Sequence, residues 1–312
     1  MPVLRDLSLT ARYCAEYGGY LLLRTILRML PFSLMMKNGD RIGTWVFRVI
    51  GIKQHVARAN LRYAFGYQYQ DEPMEVLSRR VNGHLFKTVV ELANMDRILA
   101  RPDTAFRFPR IEILRDALRE KRGVLLATGH FGNFELGALA LAQQGIPISL
   151  VVKKVRNPYI DRELTSVRRR FGAEINAVED AGRLILSALK RNRVVCMLSD
   201  QDFGLIRGIL VEFFGHPTST PTGTARFAVQ TRAPIIPVHV YRDDSGMQVI
   251  EAEPPLDVNY AREARETEIP RITQEVTSIL ERWIREHPEQ YFWLHRRWKS
   301  TPDGQWLYRK RA

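Results

Sequence analysis

The alternation of apolar and polar positions divides this chain into two parts. Residues 1–66 read as helical throughout, and a polar break follows at 66–73, where Gly66 and Pro73 bracket a run of Tyr, Gln, Asp and Glu. Helix resumes over about 74–99. From residue 112 onward short Val/Leu/Ile-rich runs alternate with helical patterns: strands at 124–128, 148–154, 194–199, 235–241 and 248–253, and helices at 134–143, 161–171, 181–191 and 222–230. A last helix covers 268–285 and stops at His287-Pro288. Such alternation predicts an α/β fold: a mixed central sheet flanked by helices, preceded by an N-terminal helical arm. The expected units are the arm at 1–66 and an α/β domain at 67–312.

Composition changes this picture little. The 312 residues are 45% hydrophobic and 26% charged, a globular balance without a disorder signature. The two cysteines, Cys14 and Cys196, lie far apart in apolar contexts, so neither a disulfide framework nor a cysteine metal site is expected.

Charge changes it more. A net charge of +13 points to an acidic partner. No Cys/His finger, aromatic RNA-binding submotif or basic zipper is present, so nucleic acid is set aside in favour of a membrane surface or an anionic substrate. Residues 18–36 are strongly apolar but carry Arg24 and Arg28, too costly for the middle of a spanning helix. The segment is expected to lie in the membrane interface with its arginines at headgroup level. Across 1–66 Lys and Arg heavily outnumber Asp and Glu, which suits an anionic leaflet.

The chemistry concentrates at Gly129-His130-Phe131-Gly132-Asn133-Phe134-Glu135, where the strand at 124–128 gives way to the helix at 134–143. Within one helix a spacing of five would turn His130 and Glu135 about 140° apart. With His130 in the loop and Glu135 in the first turn, the carboxylate is expected to reach back and orient the imidazole as a general base. Asn133 is placed to cap the helix. Asp200 and Asp202 follow the strand at 194–199 and are expected to salt-bridge the basic residues at 153–156 and 168–170. Asp200-Gln201-Asp202 also spells a D-x-D, the metal-holding signature of many glycosyltransferases, and a metal-dependent glycosyltransferase is the rival reading.

Five blocks together resemble the bacterial lipid A biosynthesis acyltransferases, of the lauroyl/myristoyl type, within the lysophospholipid acyltransferase superfamily. They are His130-Phe131-Gly132-Asn133-Phe134-Glu135; Arg156-Asn157-Pro158-Tyr159 running into Arg168-Arg169-Arg170; Ser199-Asp200-Gln201-Asp202-Phe203-Gly204; Phe213-Phe214-Gly215 with Thr220-Pro221-Thr222-Gly223; and Trp293-Leu294-His295-Arg296-Arg297-Trp298-Lys299. The resemblance implies a glycerolipid-acyltransferase-like fold and transfer of a fatty acyl chain from an acyl carrier protein thioester to a hydroxyl of a lipid A precursor or related phosphorylated glycolipid. It implies no cofactor and no metal, and work at the cytoplasmic face of the bacterial inner membrane. Other lysolipids or glycolipids as acceptors, and acyl-CoA as donor, remain open. His130 and Glu135 are the implied catalytic pair. For the oxyanion of the implied acyl transfer, backbone N–H groups near Gly132 or in the 215–223 loop, or a nearby arginine, are the candidates. There is no G-x-S-x-G motif, so no acyl-enzyme serine is expected. Arg156 and Arg168 are expected on the acceptor phosphate, with Asn133, Gly132, Asp200 and Asp202 around the substrate.

Overall fold

A computed structural model describes residues 2–51, 53–66, 68–69, 72–301 and 303–308, without the side chains of 2–8, 68 and 305. Tyr67, Gln70 and Asp71 of the polar break therefore lie outside the described residues, as do the side chains of Arg5 and Asp6. The N-terminal part is helical, as the pattern predicts: α1 (Pro2–Met29), α2 (Gly39–Ile50) and α3 (Gln54–Phe65), followed by α4 (Met74–Ala93).

The α/β part is built on β1 (Phe106–Arg107), β2 (Val124–Thr128), β3 (Ile148–Val152), β4 (Glu174–Ala177), β5 (Val194–Leu198), β8 (Ile235–Arg242) and β9 (Gln248–Ala252). Spatial order in this seven-stranded sheet is β1-β9-β8-β2-β5-β3-β4, and only the β8–β9 pair is antiparallel. A separate hairpin, β6 (Gly208–Phe213) with β7 (His216–Pro221), stands beside it. Sequence reading missed β4, because its residues are only half-buried and one is a glutamate, and it missed the hairpin, whose six polar or proline positions in β7 hide a strand pattern.

Alternation along the strands sorts the core into two layers. Val124 and Leu126, Val194 and Cys196, and Ile236 and Val238 pack under α5 (Ile111–Arg119), α6 (Phe134–Gln143) and α7 (Pro158–Arg170). Leu125, Ala127, Val195 and Ile235 face the other way, against α8 (Ala181–Lys190), α9 (Gly223–Thr231) and α10 (Arg265–Glu286).

The change at residue 66 is a boundary of sequence pattern and not of packing. Ala57 and Leu61 of α3 share a third core with Phe131, Phe213, Trp283, Trp293 and Trp298. Asn60 Nδ2 also donates to the carbonyls of Trp293 and His295, at 2.7 and 2.6 Å. α1 lies along α7, but its arginines do not face headgroups as expected. Arg24 pairs with Glu163, and Arg28 pairs with Asp96 at 2.8 Å, so both are turned inward. Exposed apolar residues accompany exposed charges such as Arg41 and Arg48: Leu22, Leu23, Ile26 and Met29 on α1, and Trp45, Val49 and Ile50 on α2. No helix among the described residues is long and apolar enough to cross a membrane.

Candidate active site

Parallel strands β2 and β5 pair in a register that sets Thr128 opposite Leu198. Two residues further along each strand stand His130 and Asp200, so the sheet itself brings them together at its C-terminal edge. Asp200 Oδ1 is 2.8 Å from His130 Nδ1, and Asp200 Oδ2 accepts from the His130 backbone N–H at 3.0 Å. The carboxylate therefore fixes both the ring and the loop that carries it.

Burial alone would lower the imidazole's pKa. The charge of Asp200 and its hydrogen bond outweigh that, and the His130 pKa stands above its ordinary value. Burial would likewise raise the Asp200 pKa, but the charge and hydrogen bonds of His130, with Arg297 nearby, hold it below the usual carboxylate range. With Nδ1–H donated to Asp200, the Nε2 lone pair is the ring's basic site. Gln201 Nε2 sits 3.3 Å from it.

This corrects the expected orientation of the ring. The carboxylate that holds His130 is Asp200; Glu135 binds Arg168, whose Nε and Nη2 donate to it at 2.5 and 3.2 Å. Glu135 lies in the first turn of α6, where its side chain reaches Arg168 of α7 and not back to the loop. Arg168, at 12% side-chain exposure, is consequently half of a largely buried pair and not a free phosphate ligand. Nor do Asp200 and Asp202 salt-bridge the arginine run. Asp202 accepts from the Ser300 backbone N–H and hydroxyl, at 2.9 and 2.6 Å, and from Gly204 N. Because the two carboxylates face different partners, they do not converge as a metal-holding D-x-D, and the glycosyltransferase reading loses its donor set.

Asn133 caps α6 as expected, its Oδ1 accepting from Leu136 N at 3.1 Å. Its Nδ2 is committed too, donating to the buried Glu91 at 2.9 Å, so the amide supports the loop rather than meeting substrate. Gly132 is similarly spent. Its N–H donates to the Gln290 carbonyl at 2.8 Å, which removes it from the oxyanion candidates. The residue has φ +58°, and a Cβ there would run into the Val240 carbonyl oxygen. Gly132→Ala is expected to destabilise the protein by about 3 kcal/mol or more, the left-handed backbone and the clash adding. A chemical-denaturation curve overlaying that of the unsubstituted protein would refute this. Arg156 stands exposed at the foot of the loop after β3.

Two groups at the site went unread in the sequence. Glu91, on α4, gathers Arg242, Gln248 and Asn133 in one buried network under the loop. Arg297 is only 2% exposed and donates to the Ser219 carbonyl and Thr220 Oγ1, fastening the hairpin beside Asp200. Arg297 stands in a run of bases that reads as a solvated surface, and no local pattern distinguishes it from Arg296. The C-terminal segment closes the ring: Phe292 N donates to the His130 carbonyl at 3.0 Å, and Phe131 bridges Tyr291.

The space around the imidazole is apolar. A cavity of about 300 Å³ runs from His130 between α6 and the sheet, past Gly137, Ala138, Leu141, Leu150 and Cys196. A neighbouring cavity of about 360 Å³ lies under α1, among Leu23, Leu27, Val89, Leu92 and Leu164. Phe134, Glu135 and Arg168 border both, so the ion pair stands where the two spaces meet. Burial, with Glu135 adding, pushes the Cys196 thiol up to about 12, which leaves it inert at neutral pH.

The model of the family described as bacterial lipid A biosynthesis acyltransferase matches residues 6–300. The chain is 29% identical to a lipid A biosynthesis lauroyltransferase of Escherichia coli over 314 residues, 97% of each chain. It is 24% identical to a lipid A biosynthesis acyltransferase of Haemophilus influenzae over 289 residues, covering 91% of this chain and 87% of that one. A phosphatidylinositol mannoside acyltransferase of Mycobacterium tuberculosis is 26% identical over 232 residues, 73% of this chain and 71% of its own.

Proposed function

The chain belongs to the bacterial lipid A biosynthesis acyltransferases, and on that footing we propose that it moves a fatty acyl chain from an acyl carrier protein thioester to a hydroxyl of a lipid A precursor or related phosphorylated glycolipid, with His130 as the base. The observation that carries this reading is the His130–Asp200 pair opening onto an apolar cavity beside α6.

A hydroxyl is a weak nucleophile at neutral pH, so its proton must leave as the oxygen attacks. In the proposed reaction the acceptor hydroxyl displaces Gln201 from His130 Nε2 and gives its proton there. The oxygen bonds to the thioester carbonyl carbon, and Asp200 steadies the imidazolium. The negative charge on the carbonyl oxygen is met by the guanidinium of Arg168, which Glu135 holds at the junction of the two cavities. The C–S bond then breaks, and the departing thiolate takes the proton from His130 Nε2, restoring the neutral ring. The acyl chain enters the inner cavity, alongside Ala138, Leu141 and Leu150. Arg156, exposed in the loop after β3, remains the proposed contact for an acceptor phosphate.

Membrane association is part of the same proposal. It is supported by the outward apolar residues of α1 and α2 and by the net charge of +13, which suit an anionic cytoplasmic leaflet of the inner membrane.

The test is to incubate purified protein with bacterial membranes and labelled acyl carrier protein thioesters of several chain lengths, with acyl-CoA in parallel. Mass spectrometry of the extracted lipids is expected to find a glycolipid heavier by one acyl group and dependent on the carrier-protein donor. Label appearing only in phospholipid, the product of acylating a lysophospholipid, or only from acyl-CoA, would overturn the acceptor or the donor assignment respectively.

A further inference from the structure

The site has a rim, and the rim has a composition that its own fold does not explain. Strands β2, β5 and β3 are parallel neighbours, so the loops that follow them rise from one edge of the sheet. The loop after β2 carries His130. The loop after β5, immediately beyond Asp200, runs Gln201-Asp202-Phe203-Gly204-Leu205-Ile206-Arg207 into β6. Phe203, Leu205 and Leu210 are about half exposed or more, and Ile206 is fully exposed. Isolated exposed apolar side chains are ordinary; four within eight residues, at the edge that holds the active site, are not.

The segment is not loose. Gly204 N donates to Asp202, the Gly204 carbonyl accepts from Gly208 N at 3.0 Å and Ser219 Oγ at 2.8 Å, and Asp202 is itself held by Ser300. Its apolar side chains are therefore displayed outward by a braced turn. Exposed bases stand on the same edge of the sheet: Arg207 in the loop, and Lys153, Lys154 and Arg156 in the loop after the neighbouring strand β3.

We propose that the 203–210 segment is a second membrane anchor, inserting Leu205 and Ile206 into an anionic bilayer while the bases on the same edge meet its headgroups, so that the mouth of the active site is held against the surface that carries the lipid acceptor. It rests on the lipid-acceptor reading above and is distinct from the N-terminal arm. A protruding aliphatic apex with cations on the same edge matches a layered partner, apolar inside and anionic at its surface. The acidic carrier protein is the rival occupant, and the test separates the two.

An environment-sensitive nitrobenzoxadiazole label is placed at Ile206→Cys in a Cys14→Ser background, with Lys190→Cys, at the opposite edge of the sheet, as the control. Vesicles of phosphatidylglycerol and phosphatidylethanolamine are expected to blue-shift the label at 206, and spin labels on the lipid tails to quench it, while the label at 190 keeps its aqueous spectrum. The pair Leu205→Asp with Ile206→Asp is expected to weaken vesicle binding about tenfold or more. An unshifted label at 206 on vesicle-bound protein overturns the proposal. So does a shift produced by acyl carrier protein without vesicles but not by vesicles alone. Neither readout requires turnover, so a failure here is distinguishable from failure of the acyl-transfer assignment.

Discussion

Replacing His130 by alanine is expected to slow acyl transfer by about 10²–10⁴-fold, the usual contribution of a positioned general base. Asp200→Asn should fall in the same range while leaving the fold intact, because the amide keeps the shape but cannot hold Nδ1–H as the carboxylate does. Their pH profiles should differ in a definite direction. The base works only when neutral, and its pKa is raised above the ordinary histidine value by Asp200. The rate of the unsubstituted enzyme should therefore climb with pH through an apparent pKa above about 6.5 and level off beyond it. Removing the Asp200 charge takes away the cause of the elevation, so the residual activity of Asp200→Asn should reach its plateau at lower pH. Measuring kcat/KM from pH 5 to 9 for both proteins checks this. An unmoved profile in Asp200→Asn, or activity within threefold of normal for His130→Ala, would remove these residues from the roles assigned.

Arg168→Met is expected to lower kcat by about 10²–10³-fold, the scale for loss of one oxyanion donor, with little change in KM for the acceptor. The distribution between the two constants is what matters. An arginine that stabilised charge only in the transition state lowers kcat; one that gripped the acceptor phosphate in ground and transition states alike raises KM. The second outcome would restore Arg168 to phosphate binding and vacate the oxyanion role. Glu135→Gln should follow Arg168→Met in direction, since it loosens the guanidinium without removing it. If Glu135→Gln were inert while Arg168→Met was not, the carboxylate would be structural. Arg156→Ala supplies the internal contrast, with the larger part of its effect expected in KM.

Much of the framework was legible in the chain. The runs at 124–128 and 134–143 coincide with a strand and a helix to the residue, because a buried parallel strand and a capped helix each leave a strong local pattern. Asn133 as cap, the helical N-terminal region and the family resemblance were readable for the same reason: each depends on residues close together in sequence. The elements that escaped were those with weak or mixed patterns, such as the edge strand Glu174–Ala177 and the polar hairpin strand His216–Pro221.

The site divided along the same line. His130 announced itself through its glycine-flanked position between strand and helix. Its partner did not, because Glu135, five residues away, competed with Asp200, seventy residues away. Arg24 and Arg28 were misplaced at a headgroup layer because the acids that neutralise them, Glu163 and Asp96, lie more than sixty residues downstream. Arg168 looked free for an acceptor until its carboxylate partner was located.

By itself the sequence determined the strongly patterned strands and helices, the cap at Asn133 and the place of His130 between strand and helix, since these follow from periodicity and spacing along the backbone. Only the tertiary structure decided which carboxylate meets which base. Pairing across the sheet is set by strand register and helix rotation, and electrostatic attraction falls with distance in space, not with distance along the chain.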